Sequence, residues 1–243
     1  MLKGKIALVT GGSRGLGKAI VETYIRHSCK VAFTWTNSRT EAETICDLYG
    51  DIVTSFQADA LEYDRAVQVV NETINKFGII DILVCNVGGA SDRPIYEIDY
   101  DSFDKSVRMT LYSCFNYIRA IANHMKSNKK GTIISVGSIN GLRGREGNVG
   151  YCAGKAGLVG LIKTVAKEMG EFGVNVNLVA PGYIDVDSQK ATNELIKQLV
   201  LDECAIRRLA KPSEIADVIC FLGSDMAKNI TGQTIVVDCG QSI

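Results

Sequence analysis

Charge of one sign, long apolar runs, paired cysteines and clustered histidines are all missing from this chain, and each absence removes a class of function. Twenty-seven basic residues balance 27 acidic ones, so the formal net charge is zero. No field of one sign steers such a protein to nucleic acid or to an anionic membrane. The opening "MLKGKIALVTGG" holds an apolar run of only about six residues before glycines interrupt it, too short for a secretory core or a span. A cytoplasmic protein without leader or anchor is the expectation. None of the eight cysteines sits in a CxxC pair, which predicts buried free thiols in a reducing compartment. His27 and His124 have no ligand-spaced companions, so no metal site is expected. The three prolines, Pro94, Pro181 and Pro212, fall in loops or at helix starts. There is no repeat, low-complexity tract or linker. With 243 residues and 46% hydrophobic content, one domain over 1–243 is the expected organisation.

What is present is alternation. "KIALVT" (5–10), "KVAFTW" (30–35), "DIVTSFQ" (51–57), "DILVC" (81–85), "GTIISV" (131–136), "VNVNLVA" (174–180) and "QTIVVD" (233–238) read as strands rich in Val and Ile. Between them, 15–28, 39–49, 62–77, 101–126, 149–172 and 213–223 carry helically spaced apolar residues. Strand and helix in turn imply right-handed crossovers and a parallel sheet, an α/β fold.

The first strand runs into "TGGSRGLGKAI" (10–20), with glycines at 11, 15 and 17 where strand turns into helix. Glycine admits positive φ and close backbone approach, and the helix start offers unpaired N–H groups, so a pyrophosphate is the natural occupant. Gly11, Ser13, Arg14, Gly15, Leu16 and Gly17 are the expected contacts. The spacing is Gly-xxx-Gly-x-Gly, not the commoner GxGxxG. After strand two, no carboxylate appears before Glu41, whereas Ser38, Arg39 and Arg14 can accept a 2′-phosphate. NADP(H) is therefore favoured over NAD(H). Asp59 and Ala60, after strand three, are further nucleotide candidates, although an Asx residue there also serves as a cap.

In "YCAGK" (151–155), Tyr151 and Lys155 share one helix face at i, i+4. A nearby ammonium favours the phenolate and makes a phenol a usable acid near neutral pH. Ser138, in "IISVGS", lies at the end of the neighbouring strand, where its hydroxyl can donate to a developing alkoxide.

With those motifs in view, the chain resembles the short-chain dehydrogenase/reductase family over its whole length. The resemblance rests on "TGGSRGLG" (10–17), "NVG" (86–88), "SVGS" (135–138), "YCAGK" (151–155) and "PGYI" (181–184). Within the family it is most similar to 3-oxoacyl-[acyl-carrier-protein] reductases, through "RRLAKPSEIADVICFLGSD" (207–225) and "ITGQTIVVDCG" (230–240). The resemblance implies a Rossmann-type doubly wound parallel sheet of seven strands. It makes Tyr151 the proton donor to a ketone, Ser138 the group that orients its oxygen, and Lys155 the partner of the nicotinamide ribose. It also implies that Asn86 and Gly88 line the adenosine-ribose side, with Pro181, Gly182 and Ile184 near the carboxamide. A homotetramer paired through 101–126 and 149–172 is implied as well.

Several positions depart from the family pattern. Thr110, in "TLYSCF" (110–115), stands where an asparagine of a proton relay is usual, and Asn116 cannot face the same way on a regular helix. Cys85 and Val87 alter the turn after strand four, and Val186 replaces a threonine near the carboxamide. Phe172 takes the place of an arginine used against acidic carrier protein, while Lys126, Lys129 and Lys130 keep some positive charge nearby. Arg143, Arg145 and Glu146 precede the tyrosine and can meet a polar substrate. Leu195, Ile196, Leu199 and Val200 give residues 182–205 the spacing of an apolar-faced lid. The expected activity is NADPH-dependent reduction of a ketone, with an acyl-carrier-protein-bound 3-oxoacyl thioester as one substrate. A sugar, polyol, steroid or secondary metabolite is the alternative, and a nucleotide-binding scaffold without turnover is the third reading.

Overall fold

A computed structural model describes residues 1–89, 93–185 and 194–243, without the side chains of 194–196. Seven strands form one sheet: β1 (Ile6–Val9), β2 (Lys30–Trp35), β3 (Val53–Gln57), β4 (Ile82–Cys85), β5 (Gly131–Val136), β6 (Val174–Pro181) and β7 (Thr234–Val237). Their order is β3-β2-β1-β4-β5-β6-β7 and every pairing is parallel. Each observed strand falls within a residue or two of its expected run.

The helices are α1 (Gly15–Arg26), α2 (Arg39–Tyr49), α3 (Tyr63–Phe77), α4 (Tyr100–Val107), α5 (Ser113–Asn128), α6 (Asn140–Arg143), α7 (Val149–Gly170), α8 (Glu194–Glu203) and α9 (Pro212–Gly223). Strand alternation divides the core in two. Ala7, Val9, Ile82, Val84 and Ile134 face a layer that includes Ile20, Tyr24, Ile215 and Ile219 of α1 and α9. Leu8, Leu83, Cys85 and Ile133 face Val69, Tyr117, Ile121, Leu158 and Ile162 of α3, α5 and α7. Both faces of the central strands are therefore covered, which is why β1 and β4 read as unbroken apolar runs.

Strand order reverses between β1 and β4. Connections from these two strands leave toward opposite faces, so a crevice opens at their carboxyl ends. The turn after β1, the turn after β4 and the start of α7 converge there.

The segment expected as one helix over 101–126 is not uniform. α4 and α5 are joined by a π-helical turn, Arg108–Tyr112, with Thr110 fully buried at its centre. The Thr110 hydroxyl donates to the Ser106 carbonyl at 2.7 Å. Such back-bonding bends helices, and a single π turn inserts one extra residue without breaking the axis.

Candidate active site

The turn after β1 is braced from two sides. Gly11 N–H donates to Thr34 Oγ1 at 3.1 Å, and Gly12 N–H to the Thr34 carbonyl at 2.9 Å. The Asn86 amide donates to the carbonyls of Thr10 and Gly11, both at 3.2 Å. Gly11 and Gly15 have φ of +64° and +52°, the left-handed region in which a Cβ is strained. At Gly17 a Cβ would run into the Gly11 carbonyl and sit 2.8 Å from the Asn86 amide. That glycine serves close packing of α1 on the turn. The helix starts after Arg14, whose side chain makes no cap and whose first turn carries no acid. Its amides and positive dipole end face the crevice.

A cleft of about 840 Å³ occupies the crevice. Its lining includes Gly11, Ser13, Arg14, Gly15, Ser38, Asn86 and Gly88, all cofactor candidates from sequence, together with Lys18, Trp35, Asn37, Glu41 and Met109, which were not named as candidates. Ser13 and Ser38 share a 2.6 Å hydrogen bond that ties the two halves of the cleft floor. Arg39 is not among the lining residues; its guanidinium lies 5.6 Å from the Trp35 ring centre and 3.8 Å from Glu43. The buried Trp35 Nε1 has no hydrogen-bond partner among the described residues. Uncapped helix amides and two cations, Arg14 and Lys18, along one open cleft fit an anionic dinucleotide. Leu16 packs into the core behind the turn. Asp59 is exposed and its carboxylate accepts the Leu61 N–H at 2.9 Å, while the Ala60 carbonyl accepts from Asn116 at 3.0 Å.

Tyr151 and Lys155 lie beside Gly88, and Ser138 follows β5 at the turn into α6. Lys155 is buried, and its Nζ donates to the Val136 carbonyl at 2.7 Å while lying 5.6 Å from the Tyr151 ring centre. A Cβ on Gly88 would stand 3.1 Å from that amine, so the cleft and the amine are neighbours. Burial pushes the Lys155 ammonium down to about 8, partly offset by the Cys114 and Cys85 thiols beneath it. Ser138 Oγ accepts the Asn140 N–H at 3.1 Å and starts the short helix α6. The adjoining residues hang on β6, through Gly137 N–H to Val179 at 2.7 Å and Ile139 N–H to Pro181 at 3.0 Å.

Comparison with known proteins agrees with this geometry. Residues 11–242 match the family model described as enoyl-(acyl carrier protein) reductase. The 3-oxoacyl-[acyl-carrier-protein] reductase FabG of Staphylococcus epidermidis is 36% identical over 239 residues, 97% of this chain and 98% of that protein. FabG of Vibrio cholerae is 37% identical over 239 residues, 98% of each. A solved short-chain dehydrogenase/reductase variant of Serratia marcescens superposes with a TM-score of 0.93, at 34% identity, covering 100% of this chain and 99% of that one. The chain belongs to the short-chain dehydrogenase/reductase family. This family works with a nicotinamide cofactor, which fits the cleft described above.

As a short-chain dehydrogenase/reductase the chain has particular features. Thr110 commits its donor proton to its own helix and points its side chain at α7. A Cβ on Gly154, the residue before Lys155, would collide with the Thr110 hydroxyl and lie 2.8 Å from its Cβ. Gly154→Ala is expected to cost about 2 kcal/mol of stability, because over-packing a rigid contact typically costs ~1–3. Thr110→Ala in the same chain should recover part of that loss, and urea unfolding midpoints read both.

Sequence candidates on the substrate side fare differently. The Lys126 ammonium lies 4.6 Å above the Phe172 ring, and Lys130 pairs with Asp81 at 2.9 Å. Arg143 is bonded to the Gln241 carbonyl and to Glu203, both at 2.9 Å. Gly182 sits against Gln241 and Asp238, and Ile184 pairs with Ala210. In α8, Val200 is buried and Leu199 is exposed. Val186 and the side chains of Leu195 and Ile196 lie outside the described residues. His124 accepts the Ile80 N–H at 3.1 Å, and no metal-holding cluster occurs among the described residues. No helix there is long and apolar enough to cross a membrane.

Proposed function

We propose that this protein is an NADPH-dependent ketoreductase that acts on 3-oxoacyl thioesters held by acyl carrier protein. The observation that carries the reading is a buried ammonium fixed under a tyrosine ring, one glycine away from a dinucleotide-shaped cleft. Bound in that cleft, reduced nicotinamide supplies a hydride. Tyr151 passes its phenolic proton to the ketone oxygen, and Ser138 donates a hydrogen bond to the same oxygen. Lys155 holds positive charge beneath the phenol, which favours the phenolate left behind. The FabG relatives support the 3-oxoacyl substrate. Covered by Lys126, Phe172 lacks the fork with which arginine grips acidic carrier protein, and this favours reduction of free ketones as the second reading. On the same reading, residues 1–243 act as one cytoplasmic unit with a substrate lid over 182–205. They assemble as a homotetramer through α4–α5 and α7, where Tyr112 and Phe115 are half exposed.

Purified protein should oxidise NADPH, followed at 340 nm, with acetoacetyl thioester and leave a 2-enoyl thioester untouched. No turnover across a ketone panel defeats the reading, and equal kcat/KM for free and carrier-bound ketones selects the second one. Arg14 and Lys18 line the cleft and Arg39 stacks on its Trp35 wall, which supports a 2′-phosphate there, while Glu41 lines the same cleft and Glu22 and Glu43 lie 3.8 Å from Lys18 and Arg39. Arg39→Ala should weaken NADPH binding about tenfold, the scale of one lost charge-assisted bond, and leave NADH unchanged. Quenching of Trp35, the single tryptophan and a wall of the cleft, reports both affinities.

A further inference from the structure

Three separate segments meet at one buried side chain near the carboxyl end of β6. Gln241 Oε1 accepts the Tyr183 N–H at 2.9 Å, and its Nε2 donates to Glu203 Oε2 at 3.0 Å. The same Glu203 oxygen accepts from Arg143 at 2.9 Å, and Arg143 also donates to the Gln241 carbonyl at 2.9 Å. Arg143 ends α6, the short helix that Ser138 starts. Glu203 ends α8, and Tyr183 follows Pro181 and Gly182. A closed ring of bonds thus joins the serine loop, the loop after β6 and the end of α8.

The ring is held stiffly. Gln241 is only 3% exposed. Asp238 folds the preceding turn by accepting from Gly240 N–H at 2.9 Å, from Ser242 N–H at 2.8 Å and from the Ser242 hydroxyl at 2.6 Å. A Cβ on Gly182 would lie 2.7 Å from Gln241 Oε1, so the loop after β6 rests directly on the amide. Hydrogen bonds from Gln241 and Arg143 hold the Glu203 carboxyl below the usual carboxylate range, so it is ionised and anchors both donors.

We propose that Gln241, with Arg143 and Glu203, is a positioning clasp that sets the loop after β6 against Ser138 and so fixes where the ketone sits relative to Tyr151. This rests on the ketoreductase reading of the site. A misplacement of about 1 Å at a reacting centre costs up to ~10²-fold in rate, so a clasp remote from the reacting atoms is expected to show in kcat/KM.

The test uses a reciprocal exchange in the full chain. Gln241→Glu keeps an oxygen for Tyr183 N–H but loses the donor and sets a carboxylate against Glu203. Adding Glu203→Gln restores an amide–carboxylate pair in the reverse sense. Gln241→Glu should lower kcat/KM for acetoacetyl thioester about tenfold, with the NADPH Kd from Trp35 quenching within about twofold. The double variant should return to within about threefold of the parent. Amide exchange over 182–185 should speed up in the single variant and slow again in the double. A single variant with unchanged kcat/KM, whatever its Tm, overturns the clasp, as does a double variant no better than the single. If the parent protein reduces no ketone at all, the ketoreductase reading fails by itself. Exchange over 182–185 then decides alone: unchanged protection in Gln241→Glu overturns the clasp, and loss restored by Glu203→Gln supports it.

Discussion

Tyr151→Phe is expected to lower kcat for ketone reduction about 10³-fold while leaving the NADPH affinity within about twofold, since a positioned acid typically contributes ~10²–10⁴. The substitution removes one oxygen and keeps the ring. The half-buried ring stands over the Lys155 amine at 5.6 Å, so phenylalanine should preserve the packing of α7 and the position of Lys155. The cleft proposed for the dinucleotide is lined from the turns after β1, β2 and β4, the starts of α1 and α2 and the π turn, and none of its lining residues comes from α7. The substitution leaves the lining of this cleft and the Lys155 amine in place, which is why kcat and Kd should separate. Stopped-flow loss of NADPH absorbance gives the first quantity and Trp35 quenching the second. If Tyr151→Phe reduces ketones as fast as the parent, the phenol is not the acid, and the proposed mechanism fails with cofactor binding intact.

Much of this site was legible because its parts are local. The glycine-rich turn needs glycine at a few spaced strand-to-helix positions, and the Tyr151–Lys155 pair needs only helical spacing. The strands were legible because both faces are buried, so their Val and Ile content carries the signal even where alternation is lost. What stayed hidden depends on distant partners. Nothing near Arg143 announces that Glu203 and Gln241, 60 and 98 positions later, will take its guanidinium, so a surface or substrate-facing arginine looked equally reasonable. The π turn was hidden for another reason. One inserted residue shifts helical phase without adding a polar or breaking residue, so "SVRMTLYSCF" reads as continuous helix. Trp35 and Met109 line the cleft through tertiary placement, and no motif marks them. Asn116, read as unable to face the same way as Thr110 on a regular helix, follows the π turn and bonds the Ala60 carbonyl.

Lys155→Met should lower kcat/KM about 10²-fold, the low end of acid–base effects, and it should also change how stability depends on pH. The second effect has a definite sign. In the folded cofactor-free protein the Lys155 ammonium is depressed to about 8, against an ordinary value of 10.5, chiefly because burial strips its water. Below pH 8 both folded and unfolded chains bind this proton, and the cost of burying the charge is felt in full. Between 8 and 10.5 the unfolded chain binds more protons than the folded one, so stability from this group rises with pH. The slope approaches ~1.4 kcal/mol per pH unit, so the whole window is worth about 3 kcal/mol. Other groups act in the opposite sense at the alkaline end. Burial raises the Cys29 thiol to about 12 and raises Tyr24 as well, so the folded chain keeps protons there that the unfolded chain releases. Those groups remain in the Met variant and cancel in the difference. Urea unfolding of both proteins at pH 7 and pH 9 should therefore show the parent gaining on Lys155→Met by about 1 kcal/mol. A difference that stays flat, or that shrinks, would mean the amine is hydrated in the free protein, and a hydrated amine cannot hold the phenol's charge as proposed.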